Sequence, residues 1–154
     1  MEEIEVKQSE YKKAQAPDIL YSGGLGPCIV VGAIYRGNGF MVHMPDPLCE
    51  EYLLESLLKD LRKGARNRRD LKIYVAGGGR DSGEDEDYNR GITENRKLVL
   101  EKIAKEGFES QIQEVRWNNL NCNQTLTLFL AEGRAEYEEN SDEDLETEDQ
   151  SEEY

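Results

Sequence analysis

Two short apolar runs on either side of a Gly-Asn-Gly turn commit the middle of this chain to a β-hairpin. Ile29 to Tyr35 (IVVGAIY) is rich in β-branched side chains and short enough to be a buried strand. Gly37-Asn38-Gly39 supplies residues that tolerate left-handed backbone, and Phe40 to Met44 (FMVHM) returns as the second strand. A hairpin of this register brings Cys28, just ahead of the first strand, near His43, close to the end of the second.

The rest of the pattern builds around it. Residues 18–28 (DILYSGGLGPC) read as a glycine-rich turn feeding the hairpin. Asp46-Pro47 predicts a helix start, with Asp as N-cap and Pro at the first helical position, and Leu54, Leu57, Leu58 and Leu61 then recur at helical spacing up to Gly64. Residues 65–70 form a basic loop, residues 71–76 a strand, and Gly77-Gly78-Gly79 a turn into a polar stretch. Thr93 is expected to cap a second helix that turns Val99, Leu100 and Ile103 inward and ends at Gly107. Residues 108–117 and 124–131 read as two further strands, the second alternating through Leu126, Leu128 and Leu130. This order predicts an α/β (α+β) fold: mixed, largely antiparallel sheet layers flanked by two main helices. Residues 18–135 form the domain, residues 1–17 an N-terminal arm or edge strand, and residues 136–154 an acidic tail expected to lack fixed structure.

Charge is unevenly distributed. The chain carries net −14, but residues 136–154 hold 11 acids and no base, leaving 22 acids against 19 bases in the remainder. No basic stripe is present to bind nucleic acid, which needs Lys and Arg gathered on one face. No segment approaches the roughly 18 to 20 apolar residues that span a bilayer, so the protein is not expected to be membrane-embedded. Three cysteines do not make a disulfide framework, and the charged start MEEIEVKQSEYKK is unlike a signal peptide, so a cytoplasmic location is expected.

The chemistry is narrowed by scarcity. His43 is the one histidine in the chain, so any thiol–imidazole mechanism must use it as base. Cys28 is the first choice of nucleophile because it follows a glycine-rich turn at the mouth of a strand, where rigid backbone can present a thiol. Cys49 falls in the first turn of the predicted helix, where the helix dipole would favour a thiolate, but its spacing to Leu53 reads as packing. Cys122, in a polar loop, reads as exposed and incidental. A metal site on Cys28, His43 and Cys49 lacks a fourth ligand and any paired-cysteine motif, so neither metal nor cofactor is expected. A buried cysteine and a satisfied core histidine remain the alternative to catalysis.

Ser22-Gly23-Gly24-Leu25-Gly26-Pro27-Cys28-Ile29-Val30-Val31, followed by Gly39-Phe40-Met41-Val42-His43-Met44-Pro45-Asp46, resembles the paired signature of the chemoreceptor glutamine deamidases, the CheD family. Ala76-Gly77-Gly78 and Asn89-Arg90-Gly91 are similar to further turns of that family. The resemblance implies a CheD-like cysteine hydrolase fold and a protein-glutamine deamidase. Its nucleophile would be Cys28, its base His43, and Ser22 would stand where the family has a Thr that completes the site. Backbone N–H groups around Gly26 and Cys28 would receive the oxyanion, and Gly77, Gly78 and Gly79 would line the substrate cleft. Substrates would be helices of methyl-accepting chemotaxis receptors, with a chemotaxis phosphatase-type protein as a second partner. Three departures stand out: Pro27 replaces the Ser before the nucleophile, Trp117 to Asn123 occupies the place of a late glycine-rich segment, and the Arg-Asn of the family's second helix matches Arg96 or Asn95 only with a register shift. Action on another protein, and a binding module without catalysis, are the alternative functions.

Overall fold

The computed structural model describes residues 1–80, 85–118 and 122–141. In chain order these form β1 (Glu3–Glu5), β2 (Glu10–Gln15), β3 (Ile19–Leu25), β4 (Ile29–Tyr35), β5 (Asn38–Met44), α1 (Glu51–Gly64), β6 (Leu71–Gly77), α2 (Glu86–Lys105), β7 (Ile112–Trp117), β8 (Cys122–Phe129) and β9 (Arg134–Ser141). The expected hairpin is present: β4 and β5 pair antiparallel from Ile29 opposite Met44 to Tyr35 opposite Asn38. They lie inside a five-stranded sheet of order β2-β5-β4-β6-β7, and a second sheet of order β1-β3-β8-β9 stacks upon it. All pairings are antiparallel except β1 with β3 and β6 with β7, so the mixed, largely antiparallel α+β class holds.

Strand alternation sorts the side chains into two cores. Ile29, Val31, Val42, Met44, Ile73 and Val75 point to α1 and α2, where Leu54, Leu57, Leu61, Val99 and Ile103 cover them. Cys28, Val30, Ile34, Met41 and Ala76 point the other way, against Leu20, Leu126 and Leu128 of the second sheet. The molecule is therefore three layers, helices, sheet and sheet, and the second core is where the site lies.

Several expected boundaries move, each for a local reason. Residues 19–25 are a strand rather than a turn; its glycines make a bulge between Ser22 and Leu25, with Gly24 at φ +66°. The first helix begins at Glu51, not at Asp46-Pro47, because Cys49 and Glu50 close a separate turn on the Asp46 carbonyl and the Leu48 N–H is taken by Asn95 Oδ1 at 3.1 Å. The second begins seven residues before Thr93: Asp85 is the N-cap, its carboxylate accepting from the Tyr88 N–H, while Thr93 sits mid-helix with its hydroxyl donating to the Asn89 carbonyl. Asn89-Arg90-Gly91 accordingly lies within α2 and not in a turn. The segment before Ile112 is a short 3-10 turn, and β8 starts at Cys122.

The acidic tail expected from residue 136 onward is corrected over its first part. Residues 136–141 belong to β9, which pairs along β8 from Arg134 opposite Phe129 to Ser141 opposite Cys122. Composition hides a period of two. Ala135 and Tyr137 face the sheet beneath, and the Tyr137 hydroxyl lies 3.2 Å from the Val75 carbonyl and 3.3 Å from that of Glu114. The Arg116 guanidinium stacks on its ring at 4.8 Å. Residues 142–154 lie outside the described residues. Truncation after Ala135 is expected to cost roughly 2 kcal/mol or more, from the loss of Tyr137 alone, and to lower the melting temperature measurably by circular dichroism. Truncation after Ser141 leaves every described element in place and should leave that temperature unchanged.

Candidate active site

The two sheets bring Ser22, Cys28 and His43 to one face from two directions. His43 is paired with Val30 across the hairpin, so the two side chains share a face, and Cys28 lies two residues before Val30 on that same face. Cys28 and His43 are thus diagonal neighbours on that face, which in a regular antiparallel pair puts their Cβ atoms about 7 Å apart. Ser22 reaches down from β3 in the other sheet. All three are buried, with relative exposures of 0% for Ser22, 3% for His43 and 7% for Cys28.

The hydrogen bonds fix the histidine's tautomer. Ser22 Oγ lies 2.6 Å from the Val6 carbonyl and 2.7 Å from His43 Nδ1. A carbonyl only accepts, so the single hydroxyl proton goes to Val6, and Oγ must accept from Nδ1–H. The neutral ring therefore carries its free lone pair on Nε2, which is buried and has no partner among the described residues. No hydrogen bond joins that nitrogen to the Cys28 sulfur here.

Electrostatics keep the pair uncharged. Burial pushes the His43 pKa below its ordinary value and the Cys28 pKa above its own, so at neutral pH the proton sits on sulfur and the imidazole is an unprotonated base. Glu50, which sequence reasoning passed over, acts on both: its carboxylate at the head of α1 raises the thiol and favours the imidazolium. The arrangement suits a general base that takes the thiol proton only as the sulfur attacks, rather than a standing thiolate.

The loop before Cys28 is held from one side. Gly78 N–H donates to the Cys28 carbonyl and Gly79 N–H to the Gly26 carbonyl, both at 2.8 Å. Gly77, at φ +90°, comes so close that a Cβ there would sit 1.9 Å from the Cys28 carbonyl oxygen. Behind this turn the Gln124 side chain accepts from Gly77 N–H at 2.7 Å, and Arg96 Nε donates to the Gly78 carbonyl at 2.8 Å while stacking on Trp117. The three glycines, expected to line a substrate cleft, are buried and the N–H groups of all three are occupied. They brace the loop before Cys28. The Gly26 N–H meets no acceptor among the described residues, while the Cys28 N–H lies against its own thiol.

The other two cysteines depart from expectation. Cys49, read as packing, is exposed, and the Asp46 carboxylate beside it raises its pKa. Cys122 is half-buried at the start of β8 rather than in a loop. Among the described residues no cluster of His, Cys, Asp and Glu could hold a metal ion, and no helix is long and apolar enough to cross a membrane.

Comparison by sequence gives no match to a family model or to a curated protein. Among solved structures the chain is similar to the crystal structure of Bacillus licheniformis hypothetical protein YfiH, with a TM-score of 0.45 and 14% identity over 72% of this chain. The match spans 51% of that protein, about half its length, and at this distance it names no family for the chain.

Proposed function

We propose that the protein is a cysteine-dependent protein-glutamine deamidase with chemistry like that of the CheD family. The observation that carries this reading is the Val6–Ser22–His43 relay, which leaves a bare Nε2 on the face that bears Cys28. A core histidine kept for packing has no use for a partnerless buried nitrogen, since leaving such an atom unsatisfied costs about 1 to 3 kcal/mol.

In this reading His43 Nε2 takes the thiol proton as Cys28 Sγ attacks Cδ of a glutamine carboxamide. The C=O π bond opens, and the oxyanion is received by the Gly26 and Cys28 N–H groups. Collapse breaks the C–N bond, and the imidazolium returns the proton to the departing ammonia. Water, deprotonated by the same Nε2, then cleaves the thioester, which gives glutamate and restores the thiol. No oxidant, reductant or bound group takes part. Pro27 contributes no N–H, but the Gly26 N–H before it meets no acceptor among the described residues, and the Cys28 N–H after it lies against the reacting sulfur itself. By resemblance the substrate is a receptor helix bearing exposed glutamines, and a chemotaxis phosphatase-type protein is a second partner.

The test is ammonia release from a recombinant receptor cytoplasmic domain, with mass spectrometry to locate each Gln converted to Glu. Conversion is expected, with a broad pH plateau. Because His43 titrates below and Cys28 above the ordinary values, the acid limb should lie below pH 6.5 and the alkaline limb above pH 9.0. Tight binding of the domain with no conversion at any pH would replace this reading by the binding module.

A further inference from the structure

We propose that Asn118 positions the nucleophile loop, by setting the peptide plane that aims the Gly26 N–H at the substrate. This rests on the deamidase reading. Asn118 follows β7 and is 5% exposed. Its Nδ2 donates to two carbonyls, Leu25 O at the end of β3, where the loop before Cys28 begins, and Cys122 O at 2.7 Å at the start of β8, and its own N–H donates to the Gly77 carbonyl at 2.7 Å. One residue thus ties together the loop, the glycine turn that braces it and the strand behind.

The geometry has a direct chemical consequence. In a trans peptide the carbonyl and the following N–H point in opposite directions. Fixing Leu25 O on Asn118 therefore turns the Gly26 N–H to the side opposite Asn118, where it meets no acceptor among the described residues. Gly79 and Gly78 fix the next two pinned carbonyls, Gly26 O and Cys28 O, on the same side. The side-chain identity is dictated by these bonds, because only the NH2 end of the amide can serve two carbonyls. Asn118 Oδ1 is buried and has no partner among the described residues. A side chain kept for packing alone would not retain an unpaired amide oxygen; one kept for its two donated protons would.

The experiment uses full-length wild-type protein, Asn118→Ala and Asn118→Asp. The Asp variant keeps the volume but offers the two carbonyls no amide proton. Two readouts are taken on folded protein, deamidation kinetics on the receptor domain and the pH profile of Cys28 alkylation by iodoacetamide, mapped by peptide mass spectrometry. Both variants should lose kcat by about a hundredfold, as when one oxyanion donor is misplaced, with KM within about twofold. Release of the loop should also let water reach Cys28, lowering its alkylation midpoint by about one pH unit, while exposed Cys49 keeps its wild-type rate as internal reference. A merely structural role would move Cys28 and Cys49 together or neither. Wild-type kcat in either folded variant, or an unchanged Cys28 profile, overturns the inference. If wild-type protein releases no ammonia yet both variants shift the Cys28 midpoint, the deamidase reading fails and the loop-holding role of Asn118 stands.

Discussion

Cys28→Ala and His43→Ala are each expected to abolish ammonia release from a glutamine-bearing receptor domain, a loss of at least about a thousandfold, and the double mutant should be no worse than either single one. The equality follows from the geometry. Cys28 has a pKa raised by burial and His43 one lowered by it, so neither helps without the other: a buried thiol without a base stays protonated, and a base without a thiol has nothing to activate. Ser22→Ala should behave differently. It removes the acceptor for Nδ1–H while leaving thiol and imidazole in place, and the loss should be about tenfold, the worth of one ordinary hydrogen bond. Retained wild-type turnover in Cys28→Ala or His43→Ala, in protein whose circular dichroism matches the wild type, would rule out the thiol mechanism. A Ser22→Ala loss as large as that of His43→Ala would instead mean that the tautomer is wholly controlled by the hydroxyl.

The parts of this site that were legible in the sequence are those encoded within a few residues. Ile29 to Tyr35 and Phe40 to Met44 announce their hairpin through composition and a turn, and the hairpin by itself puts Cys28 and His43 on one face. What supports them is encoded at long range and was not legible. Asn118 finds its acceptor 93 positions earlier, at Leu25, and no local pattern marks it out from the other asparagines of its segment. Gln124 faces Gly77 from 47 positions away. The glycine turn was visible as a turn, but its role depends on which loop it touches. The N–H groups of Gly77 to Gly79 are used by the Gly26 to Cys28 loop and by Gln124, partners that lie far off in sequence. Tyr137 was missed for a related reason: its neighbours Glu136, Glu138 and Glu139 give the segment a disordered composition, while the ring's anchors, Val75 and Glu114, lie in other strands. Acidity describes the outward half of β9 and conceals the inward half.

Among the described glycines, Gly77→Ala should be the most damaging change to alanine, and Gly91→Ala a mild improvement. At Gly77 two costs combine. The backbone is at φ +90°, where an L side chain is strained by about 1 to 2 kcal/mol, and the new Cβ would lie 1.9 Å from the Cys28 carbonyl oxygen. That neighbour is backbone, so no rotamer change relieves the clash: either β6 or the nucleophile loop must move. Movement of the loop would break the 2.8 Å bonds from Gly78 and Gly79 that hold the Cys28 and Gly26 carbonyls. Gly91 is the control, because it lies inside α2 with open space around its Cα, and an Ala there avoids the entropic cost of glycine in a helix, about 0.5 to 1 kcal/mol. Thermal denaturation should show Gly91→Ala raised by about 1 to 4 °C and Gly77→Ala lowered by roughly 10 °C or more, at a few degrees per kcal/mol for a chain of this length. Folded Gly77→Ala at low temperature should also release ammonia far more slowly than wild type. Should Gly77→Ala melt with the wild type, the close approach of the glycine turn to Cys28 would be refuted, and with it the brace that gives this loop its shape.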